Sequence, residues 1–102
     1  MIIDSSENIS KYSSLVPSIL NIDKELSYPV EEMSSFNVNR KHSILIRVEE
    51  GSIMLATTWR EGKGEKDVTG AFTLHKGEVA IILAGEYYII KGEGKCYLSV
   101  LD

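Results

Sequence analysis

Few residues in this chain could act as acids, bases, nucleophiles or metal ligands in concert. There are two histidines, His42 and His75, and a single cysteine, Cys96. His42 follows Arg40-Lys41 at the start of an apolar stretch, and His75 lies in the turn-like sequence Leu74-His75-Lys76-Gly77. Each reads as a solvated turn or strand-end residue, because Zn²⁺, Fe²⁺ or Mn²⁺ needs about three or four N, O or S ligands converging on one point. Cys96 has no sequence motif that would stabilise its thiolate, as a nucleophile requires. A lone cysteine also excludes an internal disulfide and a CxxC motif. Tyr87-Tyr88 is more informative. Adjacent strand residues point to opposite faces, so one ring faces inward, where its hydroxyl seeks a partner. With Glu86 beside it, Arg47 in mid-strand and Trp59, the candidate ligand-binding set is Tyr88, Glu86, Arg47 and Trp59. An aromatic face beside a carboxylate and an arginine would suit a sugar; the same residue types also favour dimer interfaces. Lys63 and Lys66, in Gly62–Asp67, lack the spacing of a phosphate-binding loop.

The elements that would position these residues change character near Pro29. Before it the pattern is helical. Ser5 or Ser6 could cap a turn through Glu7–Tyr12, and Pro17 suits a first helical position. Val16, Ile19, Leu20, Ile22 and Leu26 form a mostly one-sided apolar face. Pro29 ends this region. Beyond it the chain reads as short strands: Ser43–Val48, Ile53–Trp59 with Ile53, Leu55, Thr57 and Trp59 on one face, Ala71–Leu74, Val79–Leu83, Tyr87–Ile90 and Lys95–Leu101. Glu50-Gly51, His75–Glu78, Ala84-Gly85 and Gly92-Glu93-Gly94 separate them as turns. Short strands punctuated by glycine imply an antiparallel sandwich or barrel.

Bulk properties agree with one domain, 1–102, divided into an N-terminal helical segment (1–28) and a β-barrel (29–102). At 102 residues, 43% hydrophobic and 25% charged, the chain can build a core without metal or disulfide staples. The net charge of −4, from 15 acidic and 11 basic residues, argues against nucleic-acid or anionic-membrane partners. The short basic cluster Arg40-Lys41-His42 reads as a solvated turn. No basic-then-apolar leader is visible at Met1–Asn8, and Val79–Ala84 is too short to span a bilayer. The expected location is the cytoplasm.

Two stretches carry a resemblance. Met1-Ile2-Ile3-Asp4 with Glu7-Asn8, Lys11-Tyr12, Ser14-Leu15 and Pro17 is one; Phe72–Glu86 is the other. Together they resemble the YhcH/YjgK/YiaL family of cupin-like bacterial proteins. The chain is shorter than typical members. The second stretch is also similar to the cupin hairpin pattern, with Gly77 and Gly85 at its glycine positions. Leu83 stands where proline is usual, Tyr88 where a histidine ligand is usual and Gly92 where asparagine is usual. Counting back from Gly51 places Ile44 at the carboxylate-ligand position, and Asn37, Val38, Asn39 and Arg40 around the histidine positions. The resemblance therefore implies a cupin-like double-stranded β-helix (jelly-roll) barrel that lacks its metal ligands and carries no cofactor. Tyr88 would point inward, near Ile44 or Ile46 and Trp59 or Leu55.

The resemblance further implies a link to sugar chemistry, and three functions stay open. One is a metal-free binding or accessory protein for a small sugar or sugar derivative. Another is a metal-independent sugar anomerase or isomerase using Glu86, Tyr88, Arg47 or His75 for acid–base work. The last is a structural homo-oligomer whose pocket is filled by Ile44 and Tyr88. Pairing of cupin-like proteins, together with open sheet edges, points to a homodimer.

Overall fold

The apolar, β-branched stretch that begins at Ser43 does not turn back at Glu50-Gly51. In the computed structural model, which describes residues 1–22, 24–33, 41–58 and 68–101, it runs on as one strand, β3 (Ser43–Thr58). The other strands are β1 (Ile2–Ser5), β2 (Leu26–Pro29), β4 (Val68–Leu74), β5 (Glu78–Ile82) and β6 (Tyr87–Leu101). One helical turn, α1 (Val30–Met33), and two 3-10 turns, Ser6–Tyr12 and Pro17–Leu20, complete the described elements. Trp59, the Asn37–Arg40 stretch and the Gly62–Asp67 loop with Lys63 and Lys66 lie outside the described residues.

The protein is mainly β, and among the described residues six strands form one antiparallel sheet that is not closed. Strand order is β1-β5-β3-β6-β2, with β4 on the far half of β3. The spine is the β3–β6 pair, which runs from Ser43–Leu101 to Thr58–Tyr87 with one register shift between Val48 and Glu50. Neither Glu50-Gly51 nor Gly92-Glu93-Gly94 is a turn, contrary to the sequence reading; both lie inside these long strands. Val48 pairs with Cys96 but Glu50 pairs with Lys95, so Glu49 is an extra residue on β3. Such a bulge bends the strand and moves its alternation by one position. Ile44, Ile46 and Val48 before it, and Ile53 and Leu55 after it, consequently reach the same core. The bend also brings backbones together at Gly51 (φ +84°) and Gly94 (φ +105°). A Cβ on Gly94 would lie 2.1 Å from the Glu50 carbonyl oxygen, and one on Gly51 would lie 2.3 Å from that of Glu93. Only glycine fits at either point.

The N-terminal segment is not purely helical. It supplies both outer strands of the sheet's larger half: β1 pairs with β5, and β2 pairs with β6. Pro29 closes β2, where an edge position tolerates a missing N–H. The Ser5 hydroxyl accepts a hydrogen bond from the Glu7 N–H at 3.4 Å, and Pro17 opens the second 3-10 turn. The one-sided apolar face holds for Val16 and Ile19, which are buried, but not for Leu20, 65% exposed, or Leu26, 42% exposed. The turn ends at Leu20 and Leu26 already belongs to β2, so no helical period links them.

Two apolar layers result. The larger packs Val30, Ile44, Ile46, Ile53, Leu55, Leu74, Ile82, Tyr88, Ile90 and Cys96 inside the bent sheet. The smaller packs Leu45, Val79, Ile81 and Leu101 on the opposite face against Val16 and Ile19 of the N-terminal segment.

Candidate functional site

The residues proposed from sequence separate rather than converge. Tyr88 points inward, as the register requires: it is 1% exposed and packs in one cluster with Ile44, Ile46 and Leu55. Burial, with a smaller contribution from Cys96, raises its phenol pKa far above the ordinary value. Ile44 is buried in that cluster too. Arg47 lies on the other side of the sheet, because it alternates with Ile46. Glu86 works as a fastener. One carboxylate oxygen accepts the Leu83 N–H at 2.8 Å, and the other takes the Met1 ammonium. It thereby ties the corner between β5 and β6 to the start of β1. Trp59 is outside the described residues.

Arg47 has other company. Cross-strand register sets Ser27 opposite Tyr97, Tyr97 opposite Arg47, and Arg47 opposite Val79. Directly opposed residues share a face of the sheet, so these side chains form one row across β2, β6, β3 and β5. The Arg47 guanidinium holds Glu25 through two bonds, 3.0 Å from Nε and 2.7 Å from Nη2. Its central carbon stands 4.8 Å from the centre of the Tyr97 ring, a cation–π contact. The bulge residue Glu49 completes the group, accepting the Ser27 hydroxyl at 2.6 Å and the Tyr97 hydroxyl at 3.0 Å.

The electrostatics keep this cluster charged. The Ser27 hydroxyl, the Tyr97 hydroxyl and nearby Lys95 and Arg47 hold the Glu49 carboxyl below its ordinary pKa, against some desolvation. The hydrogen bond to Glu49 in turn raises Tyr97, and Glu25 raises Arg47. A carboxylate held ionised and a guanidinium held protonated are binding groups; neither is poised to exchange a proton near neutral pH. An aromatic ring edged by a hydroxyl, a guanidinium and carboxylates can face a polyhydroxylated ligand. That combination was sought with Trp59 and Glu86; the structure assembles it from Tyr97, Glu49, Glu25 and Ser27. The residues missed had one weak sequence signal, the Arg47-Val48-Glu49 charge pair in mid-strand. Their meeting depends on pairings and a bulge that local sequence does not display.

Beside the row lies an open hollow of about 390 Å³, with Arg47, Lys24 and Glu25 at its edge and Ile9, Ile22, Leu45 and Val79 lining it. A second hollow of about 320 Å³, lined by Ser18, Asn21, Leu26, Leu98 and Val100, shares Ile22 and Lys24 with the first.

The remaining reactive groups are accounted for structurally. His42 and His75 are exposed, and the His75 N–H donates to the Glu78 carboxylate at 2.8 Å. Cys96 is fully buried, its thiol pushed up to about 11 by burial first and Glu49 second, which keeps it un-ionised and unreactive. Asp4 accepts hydrogen bonds from Tyr12, from Asn8 at 2.9 Å and from the Ser5 N–H at 2.7 Å. Among the described residues, no group of three or more His, Cys, Asp or Glu side chains is placed to hold a metal ion, and no helix is long and apolar enough to cross a membrane. Comparison with known protein families, with curated proteins and with solved structures returned no match for this chain.

Proposed function

We propose that this is a metal-free binding or accessory protein for a small polyhydroxylated, carbohydrate-related molecule, and that it binds on the outer polar row rather than inside the sheet. The observation that carries the reading is the Tyr97–Arg47–Glu49–Ser27 row. It places one aromatic ring, one guanidinium, a carboxylate and a hydroxyl on a single face beside an open hollow. The inner layer supports the same choice, since Tyr88, Ile44, Ile46 and Leu55 pack against one another in a buried apolar cluster. An anomerase or isomerase is less well supported. Tyr88 and Arg47 are on opposite faces, and Glu86 is committed to Met1 and Leu83.

We also propose that the chain is related to cupins and to the YhcH/YjgK/YiaL family in descent and shape. Folding of the β3–β6 pair across one core is how a roll begins, and the shared layer of both halves supports a cupin-like roll. A cytoplasmic location is proposed with it. So is a homodimer, favoured by the exposed apolar side chains of Leu20, Leu26 and Val100. Light scattering well above micromolar concentration tests the dimer; a monomer mass would remove it.

The functional test is a thermal-shift screen against neutral and amino sugars and against divalent metals, because a ligand specific to the native state raises apparent stability. The expected result is a sugar-dependent rise that Tyr97→Ala abolishes, without a metal-dependent rise. No response to any sugar would remove the carbohydrate reading. About one Zn, Fe, Mn or Ni per chain on elemental analysis would remove the metal-free one.

A further inference from the structure

The hollow beside Arg47 has a chemistry of its own, different from that of the polar row. Ile9, Ile22, Leu45 and Val79 line it together with Ser6, and Lys24, Arg47 and Glu25 supply its charges. An open hollow with an apolar lining and two cations suits an anion with an apolar body. The chain already shows which anion Arg47 accepts. The Glu25 carboxylate sits on the guanidinium through paired bonds of 3.0 and 2.7 Å, the fork geometry that planar carboxylates form with arginine.

We propose that this hollow is a binding site for a small aliphatic carboxylate, and that Glu25 is its built-in competitor, seated on Arg47 in the ligand's absence. The site adjoins the polar row of the carbohydrate reading and shares Arg47 and Glu25 with it. Glu25 can be displaced because its ion pair is about a third exposed to water, with side-chain exposures of 38% for Arg47 and 30% for Glu25. Pairs of that kind hold weakly. The incoming carboxylate takes over the guanidinium while its chain enters between Ile9 and Ile22, a gain Glu25 cannot make from its own backbone position. Lys24 favours the anion. Glu49 on the far side of Arg47 opposes it, and Glu49 is itself held by Ser27 and Tyr97 and lies near Lys95.

The test is an NMR titration of the full chain with hexanoate, in parallel with 1-hexanol, following the methyl signals of Ile9, Ile22 and Leu45 and the Arg47 side-chain N–H. Glu25→Gln, which keeps the shape and removes the charge, is expected to bind hexanoate on the order of five-fold more tightly than the original chain, the most that removing a partly exposed pair returns. Adding Arg47→Gln should cancel that gain, and 1-hexanol should show none of it. Wild-type protein in low salt should give the same methyl shifts at higher hexanoate concentration. Equal affinity of the wild type and Glu25→Gln, a gain that survives Arg47→Gln, or methyl shifts that hexanol reproduces would each overturn the proposal.

Discussion

Tyr88 and Tyr97 stand on the same strand, an odd number of residues apart, and so face opposite sides of the sheet. Both have pKa values raised above the ordinary tyrosine value, but for different reasons. At Tyr88 the leading cause is burial; at Tyr97 it is a hydrogen bond to Glu49. The Tyr88 ring fills a layer of isoleucines and leucines. The Tyr97 ring lies under a guanidinium and beside a carboxylate. The two faces of the sheet thus differ around these rings: Tyr88 is enclosed by apolar side chains, and Tyr97 stands in a polar row.

Substitutions can sharpen that contrast. The largest effect is expected at the inner ring. Tyr88→Ala should destabilise by about 3–5 kcal/mol, as for other large-to-small aromatic core changes. Tyr88→Phe, which keeps the volume, should cost little; urea unfolding with matched slopes reads both. The bend that lets one core collect both halves of β3 comes next. Gly94→Ala must place a Cβ 2.1 Å from the Glu50 oxygen at φ +105°. It should cost at least about 1–3 kcal/mol and leave the unfolding slope unchanged. Tyr97→Ala is expected to cost much less than either, since its ring contact and hydrogen bond lie at the surface of the outer face. If Tyr97→Ala destabilised as much as Tyr88→Ala, the division between faces would be wrong.

The smallest expected effect concerns pH. Hydrogen bonds from Tyr12 first, then Asn8 and the Ser5 N–H, hold the Asp4 carboxyl at about 2 against its usual 3.8. A depressed folded-state value means that the stabilisation is present above the unfolded pKa and lost as pH falls through the folded one. The contact between β1 and the first 3-10 turn should therefore loosen between about pH 4 and pH 2. Amide exchange at Asn8–Tyr12 would show this, and Asp4→Asn should remove the pH dependence in that window.

Much of the inner face was legible in the sequence. Gly77 and Gly85 mark real corners, both at positive φ. Alternation requires one of Tyr87 and Tyr88 to be buried, the likeness to the cupin hairpin points to Tyr88, and Tyr88 is the buried ring; the apolar run Val79–Ile82 is fully buried. The long strands were not legible, because a positive-φ glycine serves a bulge or a close crossing as readily as a turn. At Gly51 and Gly94 only the partner strand decides which. The strand character of Leu26–Pro29 was hidden by its brevity and by an apolar pattern that also fits a helix. The outer row was hidden for the deepest reason. Ser27, Arg47, Glu49 and Tyr97 are ordinary surface residues until β2, β3 and β6 pair, and the bulge at Glu49 is what brings its carboxylate to both hydroxyls.

The claim that ligand recognition lies on the outer face is tested most directly by ligand-induced stabilisation in two hydroxyl deletions, Tyr88→Phe and Tyr97→Phe, using whichever sugar raises the wild-type melting temperature most. Both variants should fold with nearly wild-type stability, so the readout is the ligand response alone. The expected result is a normal rise in Tyr88→Phe and a reduced or absent rise in Tyr97→Phe. The opposite pattern, response lost with the Tyr88 hydroxyl and kept without that of Tyr97, would place the ligand inside the sheet and contradict the outer-face site.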